Sequence, residues 1–153
     1  MDVVRLDSVT PFITKDGSEI RELLAHRNSS IRRQSLAEAR IPVGSATTAH
    51  RHPNTEEIYF LLQGTGLMAI DDQSRLVGPG DAIAIPPGAI HKLTNVGDVE
   101  LRLLCCCAPG YEHDDTILMD DPTAEQPAAD GSTATALNDS LVGPDDRCED
   151  VGG

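Results

Sequence analysis

Two short blocks of the chain hold residues whose types and spacing suit metal chemistry. In the first, Gly44 is followed after five residues by His50-Arg51-His52, then by Glu57 and by Gly64. Residues at i and i+2 of an extended chain project from one face, so His50 and His52 set two imidazoles side by side. A metal site built on a strand requires that arrangement. Pro53-Asn54-Thr55 allows a bend, after which Glu57 is placed to supply an oxygen ligand from the next strand. Its neighbour Glu56 is the rival carboxylate, and strand alternation sends the two to opposite faces. The second block runs Gly80, Pro86, Gly88, His91 and Asn95. His91 follows a sharp Pro-Pro-Gly turn at the start of a strand, where its side chain can turn inward. A His-x-His pair alone is more often a surface feature than a ligand pair; the remote His91 and the spaced glycines shift the balance toward metal.

These residues need short strands to hold them, and the body of the chain is rich in strand and turn signals. The β-prone run 58–62 is stopped by Gly64-Thr65-Gly66. Segments 67–70 and 74–77 flank Asp71-Asp72-Gln73 as a hairpin. A tight turn at 78–81 precedes a strand at 82–85, and two further strands, 90–94 and 99–107, flank a turn at 95–98. Strands at this spacing predict an antiparallel sandwich or barrel. Two segments are ambiguous. Residues 19–26 read either as a helix with Ser18 as its N-cap or as an N-terminal strand. Residues 35–41 contain Ala-Glu-Ala and look helical by propensity, yet in an all-β context they are assigned to a strand closed by Pro42-Val43-Gly44.

The two blocks resemble the paired sequence motifs of the cupin superfamily, with glycine, proline, histidine, glutamate and asparagine at the expected intervals. The fifteen residues between Gly64 and Gly80 match the short inter-motif spacing of small microbial cupins. The six-residue step from Glu57 to Gly64 favours Glu57 over Glu56. The resemblance covers 44–95 by motif and about 5–121 by general texture. It implies an all-β fold, the jelly-roll-like double-stranded β-helix, with the barrel over 31–121. It also implies that His50, His52, Glu57 and His91 coordinate one divalent metal ion inside that barrel. Residues 1–30 would precede the barrel and, by the same resemblance, serve as a dimer contact, so a homodimer is expected.

Three histidines and one carboxylate are borderline in softness. They suit Fe, Mn, Ni, Co, Zn or Cu, with Fe or Mn favoured for the chemistry considered below. Four protein ligands on an ion that accepts six leave two positions open, as a catalytic site requires. The imidazoles must be neutral to bind, so affinity should weaken on acidification toward and below a pH of about 6. Alternation carries Tyr59, Leu61 and Gln63 inward with Glu57, and Leu93 inward with His91. It also turns Leu101, Leu103, Cys105 and Cys107 to the same interior. The wall is therefore expected to be mostly aliphatic, with Tyr59 and Gln63 as polar exceptions, and to suit a small, largely apolar or planar organic ligand. A sugar phosphate would want a cationic clamp, for which Arg33, Arg40 and Lys92 are the nearest candidates, but no spacing singles them out and they are read as solvated surface. His26 and His113 are both read as ordinary histidines, with the edge of the pocket as the lesser alternative for His113, which falls just after the last strand.

The first functional reading is a metal-dependent oxygenase acting on a small molecule, with Tyr59 as proton donor or hydrogen-bond anchor. An isomerase or lyase using the metal as a Lewis acid, of the sugar-phosphate isomerase-like kind, is the alternative. A non-catalytic binding module is a further one, because fold does not settle chemistry.

Composition narrows the partners. The 153 residues carry 12 Lys+Arg against 25 Asp+Glu, a formal charge of −13, which disfavours nucleic acid and anionic membrane. The charge is uneven: residues 112–153 hold twelve acids and one base, whereas 1–111 hold thirteen acids and eleven bases. From residue 122 onward large hydrophobes almost vanish, and 122–153 reads as an acidic, largely disordered tail. The start Met-Asp-Val-Val-Arg lacks a basic, apolar secretory pattern, and no run approaches a membrane span. Cys105, Cys106 and Cys107 are consecutive, which suits free thiols in a reducing cytoplasm better than a disulfide framework.

Overall fold

The computed structural model describes residues 1–119; the reading of 122–153 as a disordered tail lies outside them. Eleven strands form two antiparallel sheets. The six-stranded sheet has the order β1 (Phe12–Ile13), β2 (Glu19–Leu24), β3 (Ser35–Ile41), β10 (Leu101–Ala108), β5 (Glu56–Gln63), β8 (Ala82–Ile85). The five-stranded sheet runs β11 (Ile117–Leu118), β4 (His50–Arg51), β9 (His91–Asn95), β6 (Gly66–Ile70), β7 (Gln73–Val77). The two sheets close over one interior as a double-stranded β-helix.

Alternation decides what each strand contributes. On β5, Glu57, Tyr59 and Leu61 are buried while Glu56, Ile58, Phe60 and Leu62 are exposed. On β10 the odd-numbered set from Leu101 to Cys107 is buried. Leu61, Met68, Val77, Ile85 and Leu101 fill the part of the interior away from the cavity described below. Both ambiguous segments are strands. Residues 19–24 pair with β3, and β3 is held between β2 and β10. Cross-strand hydrogen bonds on both sides override the helical propensity of Ala37-Glu38-Ala39. Ser18 caps no helix; its hydroxyl donates to Asp16 instead.

Strand ends shift where a turn is chemically specified. β7 begins at Gln73 because Asp71 takes a left-handed conformation (φ 49°) and closes a two-residue hairpin. β10 begins at Leu101 because Asn95 holds the preceding turn: its amide donates to Val99 O and Ile41 O, both at 2.9 Å, and its Oδ1 accepts from Gly97 N at 3.0 Å. The motif asparagine is thus a clamp between that turn and β3. Gly64 has φ +85°, and a Cβ there would lie 3.0 Å from Leu101 Cα and 3.1 Å from Glu100 O. No other residue satisfies both constraints. Among the described residues no helix is long and apolar enough to cross a membrane.

Candidate metal centre

His50 lies on β4 directly opposite His91 on β9, with ring centroids 4.2 Å apart. His52, two residues on, returns to the same face, 5.1 Å from His50 between centroids. Glu57 comes from the other sheet, where it pairs with Cys107 on one side and Ile85 on the other. All four side chains are buried, and one potential ligand atom from each lies within 4.8 Å of the others. The site therefore spans both sheets: three imidazoles from the five-stranded side, one carboxylate from the six-stranded side. The turn that launches β9 is tied to the first motif, since Gly88 N donates to His52 O at 2.7 Å.

The protein gives each outward ring nitrogen a partner. His50 Nδ1 lies 2.8 Å from Thr48 O and His91 Nδ1 lies 3.1 Å from Ala89 O. A carbonyl only accepts, so each Nδ1 carries a proton, and in the neutral ring Nε2 then presents a lone pair. His52 Nδ1 faces the Thr116 hydroxyl at 3.4 Å. His91 Nε2 and Glu57 Oε2 are buried without a hydrogen-bond partner although only 3.2 Å apart. Buried polar atoms are rarely left so, and a divalent cation between them would satisfy both. The donor set fits a metal. The second carboxylate oxygen, Glu57 Oε1, accepts the Cys107 thiol at 3.0 Å, which holds Oε2 toward the histidines.

The four ligand groups are electrostatically coupled. Burial alone would raise the Glu57 carboxyl, but the adjacent His52 and His91 imidazoles and the Cys107 thiol hold it well below the ordinary carboxylate range. Burial and the neighbouring His91 lower His50 from its usual value, keeping it neutral and ready to ligate. Burial also acts to lower His52, yet Glu57 outweighs it and the net shift is upward. Burial pushes the Tyr59 phenol well above its usual value, so it stays a donor at neutral pH.

A small cavity of about 50 Å³ reaches from this cluster to the N-terminal hairpin. His50, His52, Glu57 and Tyr59 line it, whereas His91 is not among its lining residues and packs beside Tyr59, with ring centroids 6.0 Å apart. One expectation needs correcting. Gln63 donates to Glu100 O at 3.0 Å and does not line the cavity. Arg33, Arg40 and Lys92 are also absent from its wall; Arg40 pairs with Glu38 at 3.0 Å. His113 is exposed, as read, while Tyr111 and Thr116 on either side of it line the cavity. His26 sits at the surface, 3.5 Å from Glu112. The wall is more polar than alternation suggests because Thr14, Asp16, Ser18, Tyr111 and Thr116 come from segments flanking the barrel strands. No periodic pattern marks those residues, although the Asp16-Gly17 pair does mark a turn.

Comparison with known proteins agrees with this geometry. Residues 37–107 match the family model for the cupin domain. The chain is 50% identical over 114 residues to an uncharacterized protein of Methanocaldococcus jannaschii, covering 74% of this chain and 91% of that one. It resembles the crystal structure of a predicted oxalate decarboxylase from Thermotoga maritima, with TM-score 0.63 and 26% identity over 70% of this chain and 98% of that one. The polyketide cyclase RemF of Streptomyces resistomycificus shares the fold, with TM-score 0.67 and 24% identity over 80% and 89% of the two chains. Fold and metal-capable centre together define a small-molecule cupin. The chain belongs to the cupin superfamily.

Proposed function

We propose that the protein is a metal-dependent enzyme acting on a small organic molecule, and that its reaction is of the oxygenase type with Fe or Mn bound. The observation that carries this reading is the pair of buried, unpartnered atoms, Glu57 Oε2 and His91 Nε2, beside a cavity that Glu57, His50 and His52 line. A divalent ion held by His50, His52, Glu57 and His91 supplies Lewis acidity and, when redox active, a route for electrons between substrate and oxygen. Around it, Tyr59 donates a hydrogen bond or a proton, while Leu93 and Leu103 offer apolar contact to a planar ligand. The Cys107 thiol orients the carboxylate ligand.

The second reading is an isomerase or lyase that uses the ion as a Lewis acid. Its sugar-phosphate version is disfavoured, since no Lys or Arg is among the residues lining the cavity. Oxygen uptake by iron-loaded protein across catechols, thiols and keto-enols separates the readings. No uptake with any of them at full metal occupancy would sink the oxygenase. We further propose a homodimer formed through the outer face of the six-stranded sheet, where Ile58, Phe60 and Leu62 are exposed in a row. A solution mass of one chain by light scattering would contradict it. The free thiols of Cys105, Cys106 and Cys107 suit a reducing cytoplasm, and the acidic balance suits a small-molecule partner rather than nucleic acid.

A further inference from the structure

The cavity has a second carboxylate. Asp16 lies in the turn between β1 and β2, is 7% exposed, and lines the cavity together with His50 and Tyr59. The turn is built to hold it there. Gly17 N donates to Thr14 O at 3.0 Å, and Gly17 takes φ +89°. Asp16 O accepts Thr48 N at 2.7 Å, two residues before His50, so the turn is fastened to the strand that carries the metal ligands. The Lys15 side chain is committed elsewhere, donating to His113 O at 2.7 Å and Thr116 O at 3.2 Å.

The donors to the Asp16 carboxylate are neutral. Oδ1 accepts from the Thr14 hydroxyl, from Ser18 N at 3.3 Å and from the Ser18 hydroxyl at 2.9 Å. Oδ2 accepts only a share of that same Ser18 hydroxyl, at 3.1 Å, and so retains acceptor capacity. The negative charge reaches into the cavity. Burial is the main cause of the upward shifts at Tyr59 and Tyr111, and Asp16 adds to both.

We propose that Asp16 selects the ligand by charge: the cavity takes a neutral or cationic molecule bearing a hydroxyl or N–H donor for Asp16 Oδ2, and turns away ligands with a free anionic tail. The proposal rests on the small-molecule metalloenzyme reading. With a divalent ion bound, Glu57 and Asp16 balance its charge, so a neutral ligand completes a neutral site. A carboxylate or phosphate projecting away from the ion meets Asp16 and finds no Lys or Arg on the wall. An ammonium or hydroxyl tail in the same place gains a charge-assisted hydrogen bond.

The test uses three catechols with a common metal-binding diol and different tails: dopamine, 4-methylcatechol and 3,4-dihydroxybenzoate. Each is titrated calorimetrically into zinc-loaded full-length protein without oxygen. Affinity should fall in that order, by about tenfold per step, the effect of one unit charge acting across several ångströms of partly screened protein. Asp16→Asn keeps the shape and should flatten the series while still binding one zinc per chain. Equal affinities in the wild type, no binding of any of the three, or an unchanged spread in a metal-loaded Asp16→Asn protein would each overturn the inference. The wild-type series decides the matter even if that variant does not fold. Failure to take up zinc or any other divalent metal ion would instead overturn the metalloenzyme reading.

Discussion

Replacing Cys107 by valine should weaken metal binding about tenfold, whereas Cys107→Ser should stay within about threefold of the wild type. The thiol lies 3.0 Å from Glu57 Oε1, and β10 pairs Cys107 with Glu57 in register, so the contact is set by the sheet itself. A hydrogen bond to a charged acceptor contributes about 1.5–3 kcal/mol. A thiol is a weak donor, which places this one near the lower end. At about 1.4 kcal/mol per decade, losing it costs a factor near ten in affinity. That agrees with the order of effect seen when the residue orienting a metal ligand is lost. Valine matches the volume and removes the donor; serine keeps a donor. The assay is competition for zinc against a chromophoric chelator at neutral pH. Valine binding as tightly as wild type, or serine as weakly as valine, would refute the argument that the thiol positions Glu57.

Two further outcomes test the scaffold. Glu38 is fully buried on the outer face of β3, where it accepts from Arg102 Nε at 2.8 Å and Arg40 Nε at 3.0 Å. Burial raises its carboxyl, but the two guanidinium groups outweigh this and lower it from the usual 4.5. A depressed folded value means stability that is present above the unfolded value and lost as pH falls through the folded one. Glu38→Gln should therefore destabilise the protein by about 1–3 kcal/mol at pH 7, with the gap to wild type narrowing below about pH 4. Urea unfolding at both pH values checks it, and a constant gap would contradict it. Gly64→Ala should cost at least about 2 kcal/mol, from the left-handed backbone and the approach to Leu101 Cα together; a thermal midpoint equal to wild type would show that the turn relaxes freely.

The parts of this molecule that repeat with period two were readable before any coordinates. Glu57, Tyr59 and Leu61, and likewise Leu101 to Cys107, lie where alternation puts them, because burial on one face of a strand is a local property of the sequence. The four-residue cluster was legible because its members sit at set intervals from glycines and prolines that shape turns. What escaped was contributed by tertiary contact. Residues 19–24 become a strand because β3 offers an edge, which no window of that segment reveals. Asp16 and Thr116 face the cavity through the hairpin and C-terminal segment docking beside His50 and His52. Gln63, at the end of β5, takes a backbone partner rather than continuing the inward series. Sequence showed Cys107 facing inward, but only the register of β5 against β10 shows that it meets Glu57.

The central claim is one metal ion held by His50, His52, Glu57 and His91. Its most direct test is elemental analysis of wild-type protein and of His52→Ala, each loaded in turn with Fe, Mn, Co, Ni, Cu and Zn, then desalted. One ion per chain is expected in the wild type with at least one of these metals, and none in the variant, whose circular dichroism stays β-rich. A variant that keeps one tightly held ion per chain, or a wild type that retains none, would contradict it.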